Sequence, residues 1–384
     1  MITRRTFLQT AVAAPLSAAV LRAQSQDRYR VLYLGDVHFD RLAHHDLGWL
    51  TREKPNDLRQ VQNYSRLTAE VWPHTLARVR AQIAAGRASS TPVAFVAQIG
   101  DLIEGLCGTP ALAELQAQEA LASIREANLG ARFLFCKGNH DITGPGAKET
   151  FDRVLLPFIR SEMSAIGPGA TCFDADGSNL ALSYGQDWFL FFDAYDHPRA
   201  LSWLERVLAK RHARHVFVLV HPPVVPYGAR STWIVYARPS ERAERQRLLN
   251  LLGEHRVFAL TGHIHKYAAI TRRTERGPLV ELALSSVISS PTVAPAGLLS
   301  GIAAYTPDQV RVEPAFSPET ESERRAVLAA EAPQLRAFQY GDVPGYASIV
   351  IDGPQVTIEL YAGLAVEPWR TIDLVAMRDN DAGA

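Results

Sequence analysis

The stretch RVLYLGDVH at residues 30–38 joins an apolar run to two side chains that bind metals well. The run of Val, Leu and Tyr predicts a buried strand. Gly35 allows the chain to turn sharply where that strand ends. Side chains two positions apart point the same way along an extended chain, so Asp36 and His38 can both reach one ion.

Four further motifs also place side chains that can bind metals directly after apolar runs. They are Gly100-Asp101, Gly138-Asn139-His140-Asp141, the isolated His221, and Gly262-His263-Ile264-His265. Runs rich in β-branched and aromatic residues predict buried parallel strands, whose carboxyl ends meet at one crevice. Two Asp, one Asn and at least four His combine oxygen with imidazole nitrogen. That combination suits Mn, Fe, Zn or Ni better than Ca or Mg alone.

The five motifs in this order resemble the calcineurin-like metallophosphoesterase superfamily, over about Tyr29 to Tyr267. Asp36-x-His38 is similar to the branch that contains cyclic-nucleotide phosphodiesterases, nucleases and exported enzymes. Purple acid phosphatases lack that His. Phosphoprotein phosphatases have Asp and Arg at the positions of Glu104 and Gly105, so the missing Arg argues against that class.

The resemblance implies a four-layer α/β/β/α sandwich, with two mixed β-sheets flanked by helices, and a binuclear metal centre. The implied ligands are Asp36, His38 and His265 at the first ion, and Asn139, His221 and His263 at the second. Asp101 would bridge the two ions, since a carboxylate can span the roughly 3.5–4 Å of a two-metal site. A lone Asp is more often a turn or cap residue. A lone His such as His221 is more often structural, and the complete set favours the ligand interpretation.

His140 is the implied catalytic residue, which would bind a phosphoryl oxygen and protonate the leaving alkoxide. Glu104 is a candidate to orient its ring. Asp141 is open between a catalytic and a turn role. The implied activity is metal-dependent hydrolysis of small-molecule phosphodiesters or phosphomonoesters, with a metal-bridging hydroxide as nucleophile. A non-catalytic relative and a hydrolase of non-phosphate esters or amides are the alternatives.

The first 23 residues predict an export signal. Thr3-Arg4-Arg5-Thr6-Phe7-Leu8 resembles a twin-arginine motif, and an apolar stretch without acidic residues follows to Leu21. Leu21-Arg22-Ala23 is a plausible cleavage site. Pro15 and the limited length argue against a membrane anchor. We therefore expect export by the Tat machinery, a periplasmic or secreted location and no stable anchor after cleavage.

Composition is that of an ordinary globular protein, with 40 basic and 40 acidic residues. Without the three arginines of the predicted signal, 37 basic and 40 acidic residues remain, and no basic patch dominates. Nucleic acid is therefore not indicated as a partner. Three cysteines form no framework: we expect Cys136 in the core, while a Cys107–Cys172 disulfide stays open.

Strand and helix patterns alternate through most of the chain. The predicted helices are Arg66–Ala85, Ala111–Asn128, Lys148–Arg160, Arg199–Lys210 and Glu241–Leu252. The predicted strands are Arg30–Gly35, Pro92–Ile99, Arg132–Cys136, Leu180–Tyr184, Trp188–Asp193, His215–Val220, Arg256–Leu260, Tyr267–Thr271, Leu279–Leu284, Ala347–Ile351 and Gln355–Tyr361. We assign 1–23 to the signal, 24–370 to one metallophosphoesterase domain and 371–384 to a C-terminal tail.

Two groups of residues near the motifs stay open. His44 and His45 lie in a polar loop that could cap the site, although solvated loop histidines are commoner. The loop after His221 carries aromatic and guanidinium side chains that could stack on a base or clamp a phosphate, or could simply pack on the surface. They are Tyr227, Arg230, Trp233, Tyr236 and Arg238.

Overall fold

The structure is a computed structural model that describes residues 27–196, 199–210, 213–228, 233–285, 287–309 and 321–379. The predicted export signal lies outside these residues. Within them no helix is long and apolar enough to cross a membrane.

The first sheet has six strands in the order β15-β14-β13-β1-β2-β3. They are β1 (Arg28–Leu34), β2 (Val93–Gln98), β3 (Arg132–Phe135), β13 (Gly345–Asp352), β14 (Gln355–Ala362) and β15 (Arg370–Asp373). β1, β2 and β3 are parallel neighbours, whereas β13 pairs antiparallel with β1. The carboxyl ends of the three parallel strands therefore lie side by side, where the first three motifs begin.

The second sheet has nine strands in the order β11-β12-β9-β10-β8-β7-β6-β5-β4. They are β4 (Ala170–Asp176), β5 (Asn179–Tyr184), β6 (Asp187–Phe191), β7 (Val216–Leu219), β8 (Phe258–Thr261), β9 (Tyr267–Arg273), β10 (Pro278–Ala283), β11 (Ala296–Ser300) and β12 (Leu335–Asp342). β6, β7, β8 and β10 run parallel to one another, whereas β5 and β9 pair antiparallel with β6 and β10 on either side of them. The last two motifs follow β7 and β8.

The two sheets face each other across an apolar core. Phe95 on β2 meets Phe189 on β6 edge-on, with ring centroids 5.0 Å apart. The Tyr33 hydroxyl donates across the interface to the carbonyl of Thr261, at 2.6 Å. Burial of large aromatic side chains is the main favourable term here. The contact also fixes how the carboxyl ends of the two sets of strands meet.

Helices cover both outer faces. They are α1 (Leu47–Glu53), α2 (Leu58–Glu70), α3 (Trp72–Ala88), α4 (Pro110–Glu126), α5 (Ala147–Thr150), α6 (Leu156–Ser164), α7 (Arg199–Leu208), α8 (Arg242–Glu254), α9 (Glu321–Glu331) and α10 (Leu374–Asp379). α3, α4 and α6 pack on the six-stranded sheet, and α7, α8 and α9 on the nine-stranded sheet. The predicted four-layer α/β/β/α sandwich is therefore confirmed.

Two predicted helices are interrupted. Arg66–Ala85 was expected as one helix, but α2 ends at Glu70 and α3 starts at Trp72 with Pro73 in its first turn. Proline lacks the N–H that a continuous helix needs, yet suits a helix start. The expected helix Lys148–Arg160 contains a π-helical turn, Phe151–Leu155. Pro157 lies in the first turn of the following helix, α6, and its missing N–H explains this interruption as well.

Residues 371–379, which the sequence assigns to a C-terminal tail, contain the end of β15 and all of α10. Thr357 to Leu360 of β14 pair with β15, and α10 follows it directly. Ile372 is 9% exposed and Leu374 is fully buried. The partly buried Val375 and Met377 pack against the same core, but so short an apolar run is too weak a pattern to predict. All three cysteines are free, and Cys136 is buried in the core as expected.

Candidate metal centre

The backbone turns sharply at the ends of the strands. Four non-glycine residues there have left-handed φ angles: 49° at His38, 53° at Asp101, 68° at His263 and 57° at His265. Such conformations cost free energy and cluster at functional sites. At Gly138 a Cβ atom would lie 2.1 Å from the Asp101 nitrogen, so only glycine fits.

Asp36, His38 and His265 form the first group of donor atoms, all within 4.8 Å of one another. The Nε2 atoms of the two histidines are 3.3 Å apart. The Nε2 of His265 lies 2.9 Å from Asp36 Oδ2. Such close polar atoms from two sheets suit a cation between them.

Asp101, His221 and His263 form the second group, again within 4.8 Å. The Nε2 of His221 lies 3.0 Å from Asp101 Oδ2 and 3.1 Å from His263 Nδ1. The Oδ1 of Asn139 is also 3.1 Å from that Nε2. All of the residues expected at the second ion therefore meet at one point.

Asp101 lies between the groups. Its Oδ2, close to His221, is 3.8 Å from the Nε2 of His38. Its Oδ1 accepts a hydrogen bond of 2.8 Å from the His140 main-chain nitrogen. The carboxylate is 1% exposed, so it can touch ions in both groups without contacting bulk water.

Two buried hydrogen bonds orient the imidazoles. The Nδ1 of His38 is 2.6 Å from Glu104 Oε2, and the His38 ring stacks on Tyr64 at 4.3 Å. The Nδ1 of His221 lies 2.9 Å from the carbonyl of Ile99, an acceptor only, so it donates. In both rings Nδ1 is therefore engaged outside the donor groups and Nε2 lies towards them, an arrangement usual for metal-binding histidines.

His140 is oriented differently from the prediction. Its Nδ1 donates to the main-chain oxygen of Glu104 at 2.7 Å, and the Glu104 carboxylate is 3.4 Å away. That carboxylate is held by His38 and by a 2.9 Å hydrogen bond from Gln60. Burial raises the pKa of Glu104 to about 8. Glu104 therefore orients two imidazoles: its carboxylate contacts His38, and its main-chain carbonyl accepts a hydrogen bond from His140.

Asp141 is an anchor for the backbone. Its carboxylate accepts hydrogen bonds from the main-chain nitrogens of Gly138, Asp101 and Ile103 at 2.8–3.1 Å. It is fully buried, and burial with the charge of Asp101 raises its pKa to about 7. The turn role, rather than the catalytic one, fits these contacts. Its loss would release both the Gly100 and the Gly138 motifs.

Burial and neighbouring charges together set the electrostatics of the site. Burial alone would lower the pKa of His221, but Asp101 and Asp36 outweigh it and raise that pKa to about 9. Burial, reinforced by neighbouring histidines, lowers the pKa of His38 and His263 well below the usual range. At Asp101, His221 and other histidines overcome the effect of burial and hold the pKa well below its usual range. Neutral imidazoles and an ionised carboxylate are the forms that bind metals. Perturbed groups in a cleft also mark functional sites.

A pocket of about 210 Å³ opens onto these residues. Asp101, Asn139, His140, His263 and His265 line it from the two sheets. The remaining lining residues come from surrounding loops and helices: Lys54, Asp57, Gln60, Leu106, Thr143 and Trp233. Only Trp233 among these was singled out from the sequence, because Lys54, Asp57 and Gln60 carry no distinctive spacing.

His44 and His45 correct the expectation of solvated loop residues. They are 1% and 7% exposed. His45 Nε2 lies 2.7 Å from Asp40 Oδ1, and His44 Nε2 lies 3.0 Å from Glu119 Oε2. They belong to a buried polar network under the first motif. The sequence spacing alone did not reveal their carboxylate partners, the buried Asp40 and the partly exposed Glu119.

Comparisons with known proteins bear on the family and the fold of this chain. A family model described as calcineurin-like phosphoesterase matches residues 29–267. No curated protein sequence matches the chain.

A purple acid phosphatase from yellow lupin (Lupinus luteus) seeds has a similar structure, with TM-score 0.50 and 11% identity over 90% of this chain. The match covers 53% of the lupin enzyme, so this chain spans about half its length. PhoD is similar at TM-score 0.47 and 11% identity, covering 90% of this chain and 68% of its own. At such identity the likeness concerns the fold alone.

Proposed function

Because this chain belongs to the calcineurin-like phosphoesterase family, and is thus a hydrolase of phosphoric esters, we propose that it acts through two metal ions on small phosphoester substrates. The observation that carries the proposal is the pair of donor groups that share Asp101. No ligand expected from the sequence is displaced from this arrangement.

The donor set fits transition-metal ions. Asp36, His38 and His265 would hold one ion, and Asn139, His221 and His263 the other, with Asp101 between them. Imidazole nitrogen with few carboxylates suits Mn, Fe, Zn or similar ions. When bound, such ions supply Lewis acidity and lower the pKa of water.

His140 and the pocket supply what the ligands do not. The Nδ1 of His140 donates to the Glu104 carbonyl, so Nε2 carries the second proton when the ring is charged. The ring lines the pocket beside His38, at a centroid distance of 4.7 Å. In this proposal the ring binds a phosphoryl oxygen and gives a proton to a departing alkoxide.

Metal content and substrate class test this proposal together. We expect elemental analysis of gently purified protein to approach two transition-metal ions per chain. We also expect hydrolysis of bis(p-nitrophenyl) phosphate or p-nitrophenyl phosphate, and loss of that activity after chelation. Activity on p-nitrophenyl acetate alone would indicate a non-phosphate hydrolase. Full activity after exhaustive chelation would contradict the metal-dependent proposal.

We further propose export by the twin-arginine route, with the mature chain starting near Gln24. The support is the Arg4-Arg5 motif and the apolar, acid-free stretch behind it. Changing both arginines to lysine keeps the charge and should leave the precursor inside the cell. Fractionation and immunoblotting measure this, and normal periplasmic accumulation of the variant would contradict the proposal.

A further inference from the structure

The loop after His221 contributes one aromatic side chain to the pocket. Trp233 lines it, and its ring lies 5.2 Å from the His263 ring, tilted by 37°. Tyr227 and Tyr236 are 1% and 3% exposed and belong to the core behind the loop. Trp233 itself is only partly buried. A flat apolar surface is thus held beside the second donor group.

Trp233 and His140 both line the pocket, but their rings contact histidines of different donor groups. The His140 ring packs beside His38, a residue of the first donor group. The Trp233 ring packs beside His263, a residue of the second group. A phosphodiester between the groups would place its leaving arm towards His140. The arm that stays on phosphorus would then extend towards Trp233.

The rim of the pocket adds little net charge. Lys54 and Asp57 both line it and carry opposite charges. Trp233 therefore offers a means of choosing between substrates of equal charge. Indole attracts flat rings through stacking and edge contacts, beyond the effect of buried area. A puckered ring of similar size gains only the free energy that comes from burying apolar surface.

We propose that Trp233 makes the enzyme prefer phosphodiesters whose retained arm carries a flat aromatic ring. This inference rests on the proposed phosphoesterase function. The substrate class includes aryl diesters and diesters that carry a heteroaromatic base.

The test compares phenyl p-nitrophenyl phosphate with cyclohexyl p-nitrophenyl phosphate. The two share leaving group and charge, and their retained rings are similar in size but differ in flatness. The quantity measured is the ratio of kcat/KM for phenyl over cyclohexyl. We expect Trp233→Leu to lower that ratio by about 2- to 12-fold, which corresponds to the usual strength of an aromatic pair. Trp233→Phe keeps a flat ring and should retain most of the preference.

Trp369 provides the matched control. It is a partly buried tryptophan that contacts Tyr267 and does not line the pocket. Trp369→Leu should leave the ratio unchanged. An unchanged ratio in Trp233→Leu, or an equal fall in Trp369→Leu, overturns the inference.

A second measurement needs no variant. Phenylphosphonate should inhibit the wild-type enzyme more strongly than cyclohexylphosphonate, and equal inhibition by the two would contradict the role of Trp233. If wild-type enzyme hydrolyses neither diester nor p-nitrophenyl phosphate, the proposed function itself fails. Hydrolysis of both diesters without any dependence on Trp233 refutes only the specificity.

Discussion

The two sheets each bring half of the candidate metal centre, but they hold it differently. On the six-stranded side, buried side chains brace one another: Glu104 holds His38, and Asp141 ties the Gly138 and Asp101 turns together. Left-handed backbone occurs on both sides, but on the nine-stranded side the two histidines of the last motif, His263 and His265, are only partly buried. The His265 side chain is 26% exposed.

This difference assigns separate tasks to the two halves. The six-stranded side contributes Asp101, which lies between the donor groups, and His140, the imidazole proposed to serve the leaving group, and hydrogen bonds hold both. The nine-stranded side contributes the fully buried His221, the partly buried His263 and His265, and the tryptophan of the pocket. Changes on the first side should therefore affect both ions or the chemical step. Changes on the second should affect one ion or the choice of substrate.

Substitution of the shared carboxylate should have the largest effect. Asp101→Asn removes a negative charge where the two donor groups meet and leaves only one good acceptor oxygen. We expect metal content to fall from two ions towards zero, with loss of activity. His263→Ala should instead remove mainly one ion, since it reaches only the second group. Elemental analysis of both variants measures this.

The exposed helix-capping residue Asp46 supplies the control for Asp101→Asn. Asp46→Asn keeps a capping oxygen and should retain both ions. If Asp101→Asn keeps two ions, or loses only one, the carboxylate does not join the groups. The proposed division between the halves would then be wrong.

His140 tests the chemical role of the six-stranded side. His140→Ala should retain metal while kcat falls by roughly 10²–10⁴-fold for alkyl phosphoesters, because general-acid help is lost. The fall should shrink for p-nitrophenyl esters, whose leaving group needs little protonation. Rates for both leaving groups, measured with metal content, decide the matter. The exposed His74 on α3 is a control, and its Ala variant should behave like wild type.

A different outcome would give His140 another role. Loss of metal from His140→Ala would make it a structural or ligating residue. Equal slowing of alkyl and p-nitrophenyl esters would make it a substrate-binding residue rather than a general acid.

Strand-forming patterns and ligand motifs were predictable because both are local. The runs before Asp36, Asp101 and Asn139 are long and apolar, and they became β1, β2 and β3. β4, β11, β12 and β15 were missed. β11, for example, is a largely exposed edge strand, so no inward-facing pattern identifies it.

The contacts around the ligands were less predictable, since they depend on distant parts of the chain. Gln60 reaches Glu104 from α2, across 44 positions. Glu104 was correctly suspected as a partner of His140, but its carboxylate serves His38 instead. Sequence spacing shows which residue types are near a motif, and not which atom of a side chain or backbone makes the contact.

Glu281 tests how the nine-stranded side is held. Its buried carboxylate accepts hydrogen bonds from the nitrogens of Val224 and Val225, at 2.9 and 2.6 Å, in the loop that follows His221. Burial raises its pKa to about 8. Glu281→Leu leaves two buried N–H groups without their acceptor. We expect a loss of about 2–4 kcal/mol in the free energy of unfolding.

Glu281→Gln is the matched variant, because the amide keeps one acceptor oxygen for the loop. It should cost less than Glu281→Leu, in urea unfolding at neutral pH. If the two variants lose equal stability, these hydrogen bonds do not hold the loop. If Glu281→Leu unfolds like wild type, the nine-stranded side has some other support.

The smallest effect is expected far from the site, on β4. Asp174 accepts from Trp203 at 2.9 Å and from Arg206 at 2.7 Å, and it also pairs with Lys210. Burial alone would raise the pKa of Asp174, but these partners outweigh it and lower the pKa to about 2. Because the Arg206 side chain is 50% exposed, solvent screens the pair. We expect Asp174→Asn to cost about 1 kcal/mol at pH 7.

The pH dependence distinguishes this ion pairing from packing. The folded-state pKa lies below the value of about 3.9 for an unfolded chain, so the stabilisation is fully present above that pH. It must decline as the pH falls through 4 towards 2. The difference in the free energy of unfolding between wild type and Asp174→Asn, measured in urea, should therefore be constant from pH 7 to 5 and smaller at pH 3.

Asp176→Asn is the control. The partner of Asp176, Arg199, is 3.7 Å away, so this variant should change stability by less than about 0.5 kcal/mol. Metal content should be unchanged in both variants, because neither residue contacts the donor groups. If the stability difference does not shrink at pH 3, Asp174 acts through packing or neutral hydrogen bonds. If the metal content changes, the edge of the nine-stranded sheet is coupled to the site.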